Sequence, residues 1–288
     1  MVEQKIDRLF LTRTIIIILL LCVALLGRYF APHDPYLTSL SSALQPPSWE
    51  YPFGTDHLGR CILSRVLYGA PISIFSAIAV VFASTILGTF LGAISGYLGG
   101  VAEKFISQIV ITFQAFPSFL LAVSVAGVLG SGIRNGILAL ILVSWTSYAR
   151  FSKSLVNRVK HENYLHVARL HGAKTHHIVV KYIFPNIISP IIVTSVQEIG
   201  TIILSMSALS FLGLGAAAPM PELGAMMSEA RKNFQLAPWY LIFPGLILLI
   251  SVICFNSFGD ALRKKQSYNS WEFHLVPSIK GMSHVIRI

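Results

Sequence analysis

Residues 14–27 read TIIIILLLCVALLG, a run without a single charge. Stretches of this kind constrain the fold more than any other feature of the chain. Hydrocarbon offers no hydrogen-bonding partner, so a segment inside it must satisfy its own N–H and C=O groups as a helix or a closed barrel. Roughly 20 mostly apolar residues cross about 30 Å of bilayer core as a helix. Six stretches have this character: about 9–31, 70–97, 105–130 with Pro117 inside it, 133–149, 186–214 and 238–258. Composition agrees, with 54% hydrophobic and 12% charged residues, against about a quarter charged in ordinary soluble domains. The expectation is an all-α polytopic membrane protein with six transmembrane helices.

Arg13 and Arg28 stand near the ends of the first stretch, where long side chains snorkel to the membrane surface. A basic start and an apolar core also suit a signal peptide. However, GRYFAPHDP follows in place of a small-x-small cleavage site, so an uncleaved anchor is expected. Orientation comes from Lys and Arg, which accumulate in cytoplasmic loops. With the N-terminus inside, sixteen of the 22 Lys and Arg fall on the cytoplasmic side. Only Arg28, Arg60, Arg65, Arg134, Arg231 and Lys232 fall outside. Both termini are therefore placed in the cytoplasm. The net charge of +10 follows from this bias and calls for no nucleic acid.

The chain divides accordingly. Residues 1–31 form a tail and the first span. Residues 32–69 form an extracytoplasmic segment, in which Leu58, Ile62, Val66 and Leu67 near helical spacing predict an amphipathic surface helix on membrane lipid. Residues 70–263 form a five-helix core with a cytoplasmic loop over 150–185. Residues 264–288 form a cytoplasmic tail. A second outer segment covers 215–237. Cys22, Cys61 and Cys254 show no CxxC spacing, which argues against a disulfide framework or a zinc cluster.

The loop carries ENYLHVARLHGAKTHHIVVKYIFPN at 162–186. Glu162 to His171 reads as one helix, Gly172 as its stop, and Thr175 as the cap of a second helix reaching Phe184. Pro185 then opens the fifth span. A metal site would use His161, His166, His171, His176 and His177, but the first three are five residues apart and do not share a helix face. A nucleic-acid reader needs polar side chains that reach base edges, and HHIVVKYIF is too apolar. An amphipathic hairpin resting on the membrane or on a partner fits best.

This hairpin resembles the EAA loop of ABC importer permeases, with Ala168 as the second alanine, Gly172 as the glycine and Phe184-Pro185 in place of Leu-Pro. His166 and Val167 stand where that family has Glu and Ala. FGTDHLGRCILSRVLYGA resembles the GTD-x-x-GRD-x-x-SR signature of dipeptide, oligopeptide and nickel importers, with Cys61 in place of Asp. LSFLGLGAAAPMPELGAMMSEAR and FPGLILLISVICFNSFGDALR are similar to later segments of the same family, with Leu223 where Trp is common. The resemblance covers about residues 50–263. It implies a type I ABC importer permease fold and a role as a transport subunit of the bacterial cytoplasmic membrane. It also implies a homologous second permease, two ATP-binding subunits and an extracytoplasmic substrate-binding protein as partners, and no cofactor. By the same resemblance Tyr164, Val167, Ala168, Gly172, Ala173 and Pro185 engage the ATPases, and Glu222 with Gly224 shapes an outer gate.

No GxxxxGK[ST], GxSxG or HExxH occurs, so ATP hydrolysis is expected from a separate polypeptide. Glu198 is the acidic residue near the middle of a predicted span. A carboxylate there faces a bundle interior or water, either as a hydrogen-bond partner of Gln197, Thr194 or Thr201, or as a pore group for cationic cargo. Peptide-importing relatives often carry Glu where this chain has Met206. The region around Glu198, and residues 127–150, resemble nickel-type permeases. Nickel or a nickel chelate is the expected cargo, with peptides as the alternative. Asp56, Arg60 and Arg65 pair either with the binding protein or locally, Asp56 as a helix cap and the arginines on lipid headgroups. Gly92, Gly96, Gly99 and Gly100 suit close helix packing and a tight turn. An ion-coupled carrier acting alone would show repeats and several intramembrane charges, and a membrane enzyme would show a reactive set; neither pattern is present in the sequence.

Overall fold

The computed structural model describes residues 2–162, Leu165 and residues 175–285. Helices dominate these residues. They are α1 (Val2–Leu26), α2 (Ile62–Leu98), α3 (Gly100–Gln114), α4 (Ser118–Leu129) and α5 (Ile133–Lys160). There follow α6 (Thr175–Ile178), a π turn over Val179–Ile183, α7 (Phe184–Phe211), α8 (Leu223–Ala230) and α9 (Pro238–Val285). Among the described residues the only β pairing is an isolated antiparallel bridge between Thr55 and Cys61.

Helices Ile6–Phe30, Ile62–Leu98, Val179–Phe211 and Pro238–Ser267 are long and apolar enough to cross a membrane. A fifth span arises if α3 and α4, bent by 88° at their junction, count together. The bend falls at Ala115–Pro117, because proline cannot donate to the preceding turn and forces the residue before it out of the helical region. The sixth expected stretch, 133–149, lies inside α5. Its apolar part is shorter, with Arg134 near one end and Arg150 near the other. In the most apolar stretch of α1 only 11% of residues are buried, so α1 lies at the rim while α2 runs through the centre.

The expected surface helix is not a separate element. Helix α2 starts at Ile62 and runs unbroken for 37 residues through Pro71. Ile62 and Val66 are buried in the main core, Leu67 is half-buried, and Leu58 lies in the loop before the helix. Their spacing marks a face turned toward the protein, which periodicity alone cannot tell from a face turned toward lipid.

Helix α5 packs along α2, and glycines set how closely. A β-carbon at Gly88 would strike the Trp145 carbonyl, and one at Gly92 the Ala149 carbonyl. At Gly96 it would come within 3.0 Å of the Lys153 carbonyl. Glycine at every fourth position thus lets two backbones approach directly, the small-residue device of membrane helices. Gly99 and Gly100 have φ of 69° and 58°, a left-handed pair that turns α2 into α3. Similarly, Gly200 of α7 faces Asn256 of α9, and Gly259 of α9 faces Gln197 of α7.

Candidate functional site

The residues expected to contact an outside protein are interior. Asp56, Arg60 and Arg65 are 0%, 2% and 0% exposed. Asp56 Oδ1 accepts the backbone N–H groups of Leu58 (2.8 Å) and Arg60 (2.9 Å), closing the loop before α2. Asp56 Oδ2 accepts Arg60 Nε at 2.6 Å and has Arg65 Nε at 3.7 Å. Glu229 of α8 completes the cluster. Its Oε2 accepts Arg60 Nη2 (2.9 Å), Arg65 Nη2 (3.3 Å) and the Tyr240 hydroxyl of α9 (2.7 Å). Two carboxylates balance two guanidinium groups, the condition under which charges tolerate burial.

These contacts correct the docking expectation for Asp56, Arg60 and Arg65. Asp56 closes the loop rather than capping α2, whose N-cap residue is Cys61, and the arginines face carboxylates rather than headgroups. Asp56, His57 and Glu229 also lie within 4.8 Å of one another. Two guanidinium groups already occupy these carboxylates and repel a metal ion. Glu222 is equally buried. Its Oε2 accepts Ala225 N–H (2.9 Å) as the N-cap of α8, and its Oε1 accepts the Ser73 hydroxyl of α2 (2.7 Å). A β-carbon at Gly224 would strike the Ser207 carbonyl of α7, so Glu222 and Gly224 together clamp α8 onto α2 and α7.

Glu198 is half-buried on α7. Its neighbour Gln197 donates through Nε2 to Asp260 Oδ1 of α9 (3.1 Å). Arg13 Nη1 of α1 donates to the Ser257 carbonyl (2.7 Å) at nearly the same level. Glu198 therefore lies level with the part of α9 where polar residues begin, and near the middle of the apolar helix Val179–Phe211. Of the hydroxyls near it, Thr194 Oγ1 donates to the Pro190 carbonyl (3.0 Å). Among the described residues no hydrogen bond or ion pair reaches Glu198. Tyr148 of α5, 4% exposed, lies within electrostatic reach of it. The Tyr148 hydroxyl faces Thr85 and Ser195, which bond each other at 2.9 Å and leave it without a well-formed bond. Met206 is fully buried in the main core, and a β-carbon at Gly136 of α5 would come within 3.2 Å of its methyl group. It fills the bundle and presents no free surface.

Tyr164, Val167, Ala168, Gly172 and Ala173 lie outside the described residues. Pro185 is exposed near the start of α7, within a helical stretch that runs on from the preceding π turn. Leu165, Ile178, Ile183 and Ile187 are buried with Val156 of α5, so described residues of the expected lever itself pack on the bundle. Lys160 Nζ at the end of α5 donates to the Tyr97 carbonyl at 2.9 Å, fastening α5 to the end of α2.

Residues 88–268 match the family described as binding-protein-dependent transport system inner membrane component. The dipeptide transport system permease protein DppC of Haemophilus influenzae is 38% identical over 86% of this chain and 86% of its own length. DppC of Alkalihalophilus pseudofirmus is 39% identical over 91% of this chain and 86% of its own. The glutathione transport system permease protein GsiD of Escherichia coli O157:H7 is 39% identical over 94% of this chain and 87% of its own. An inward-facing structure of the MetNI methionine ABC transporter is 19% identical, with TM-score 0.47, over 67% of this chain and 94% of that one. The names of these permeases refer to a dipeptide and to glutathione, and give the expectation of nickel no support.

Proposed function

The chain belongs to the binding-protein-dependent transport system inner membrane components, multi-pass permease subunits of ABC importers in the cytoplasmic membrane, and from this we propose that it carries short peptides. The observation that supports this is the 38–39% identity, over nearly the whole chain, to dipeptide and glutathione permeases. The expectation of nickel rests on local likeness around Glu198 and over 127–150, and full-length similarity outweighs it.

In this reading a second, homologous permease completes the pore, and two separate ATP-binding subunits supply the energy. An extracytoplasmic binding protein delivers the peptide. Both termini lie in the cytoplasm, and residues 162–186 face the ATPases. Tyr164, Val167, Ala168, Gly172 and Ala173 form the surface that the ATPases move, and Pro185 joins it to α7. The Asp56–Arg60–Arg65–Glu229 cluster and Glu222 hold the outer loops in place for the gate. Glu198 borders the translocation path, with Met206 as filling behind it.

Uptake tests the cargo. Cells with the complete system accumulate labelled dipeptide, and deletion of this subunit abolishes that accumulation. Accumulation of nickel without dipeptide would restore the first expectation.

A further inference from the structure

Thr194, Glu198, Thr201 and Ser205 follow one another along α7 at spacings of four, three and four. That spacing puts them on one face of a helix. Thr201 is exposed and the other three are half-buried, so the described helices cover the face only in part. Thr194 Oγ1 donates to the Pro190 carbonyl (3.0 Å), and Ser205 Oγ donates to the Thr201 carbonyl (2.9 Å). A hydroxyl that gives its one proton to its own helix offers only lone pairs beyond it. The stripe therefore presents one carboxylate, acceptor lone pairs at Thr194 and Ser205, and the Thr201 hydroxyl, which can donate or accept. No Lys or Arg occurs between Lys181 and Arg231.

A carboxylate in a membrane-spanning helix needs water or a cation, and Glu198 has no described counter-charge. Resting on the peptide reading above, we infer that this stripe is the track along which cargo passes and that Glu198 receives the cargo's positively charged amino group. An ammonium brings three N–H donors and no acceptor, which complements one carboxylate and neighbouring lone pairs. A transition-metal ion would call for several imidazole, thiolate or carboxylate ligands, and Glu198 is the only such side chain on the stripe.

The test is charge-selective labelling of the complete complex, with its ATPases and binding protein, in membranes. Cys22 and Cys254 are first replaced by Ser, while Cys61, 2% exposed, is kept. Thr201→Cys is then reacted with cationic and anionic methanethiosulfonates, each rate normalised to a free thiol. The cationic reagent reacts roughly threefold faster or more, the effect of one unit charge several Å away in a wet path. Glu198→Gln removes this preference and Glu198→Asp keeps it. Saturating dipeptide slows the labelling, and Glu198→Gln relieves that protection. Ser205→Cys serves if the Thr201→Cys complex fails to assemble. No labelling in any nucleotide state overturns the track. Labelling without a preference, or with one indifferent to Glu198→Gln, overturns the role of Glu198. If wild-type complex imports no dipeptide yet shows a preference that depends on Glu198, the peptide reading fails and the cationic track stands.

Discussion

Asp56 shows how a residue's neighbours decide its role. Its carboxylate closes the loop through two backbone N–H groups and neutralises Arg60 and Arg65. Removing one member of a buried ion pair leaves an uncompensated charge, which costs roughly 3–5 kcal/mol. Asp56→Ala is therefore expected to lower the unfolding temperature of the detergent-solubilised protein by many degrees, if it folds at all. Asp34, exposed and with its carboxylate accepting the Tyr36 N–H (2.8 Å), is the comparison. Asp34→Ala should change stability by no more than about 1 kcal/mol in the same melt. Equal losses for the two variants would contradict a structural role for the cluster. The sequence shows Asp56, Arg60 and Arg65 side by side, and on that view they look free to meet a partner. What it hides is Glu229, 169 positions from Arg60, because a pairing that distant leaves no local spacing to read.

At the scale of elements, the contact between α2 and α5 depends on absent side chains. Gly92→Leu would drive a side chain into the Ala149 backbone, and backbone cannot step aside as a flexible side chain can. Little assembled protein is expected in the membrane, measured as folded monodisperse material after extraction. Gly127→Ala has nothing within 4 Å and no unusual backbone angle, so normal yield is expected there. Normal yield for both would mean that the helices do not meet as described.

The glycines at 92 and 96 were legible, because small residues four apart have one common use in membrane helices. The turn at Gly99 and Gly100 was legible for the same kind of reason. The start of α2 was not. Cys61 follows a Gly-rich loop, and the apolar residues after it suit a helix lying on lipid as well as one entering the core. Glu198 stands out in the sequence by its charge, whereas its neighbour Tyr148 of α5 does not, because so distant a pairing leaves no local spacing to read.

For the whole molecule, the account is a pore subunit moved by ATPases on its cytoplasmic side. The lever carries its own prediction. Gly172→Leu should leave membrane insertion intact and reduce cargo uptake at least tenfold, while ATP hydrolysis continues without stimulation by loaded binding protein. Uptake at the wild-type rate in a normally inserted Gly172→Leu complex would remove the coupling role from residues 162–186. Topology is open to a similarly direct check. Single cysteines placed at Asp34 and Lys153 should be labelled by an impermeant reagent from opposite sides of the membrane, and labelling from one side would contradict the proposed orientation. The central claim is that this chain is the peptide-conducting half of an ATP-driven importer. Its most direct test is uptake of radiolabelled dipeptide and radiolabelled nickel by proteoliposomes holding the full complex with its binding protein. The account predicts ATP-dependent accumulation of the dipeptide and none of nickel, and loss of both ATP dependence and uptake when this subunit is omitted. Accumulation of nickel alone, or dipeptide uptake that is indifferent to ATP, would contradict it.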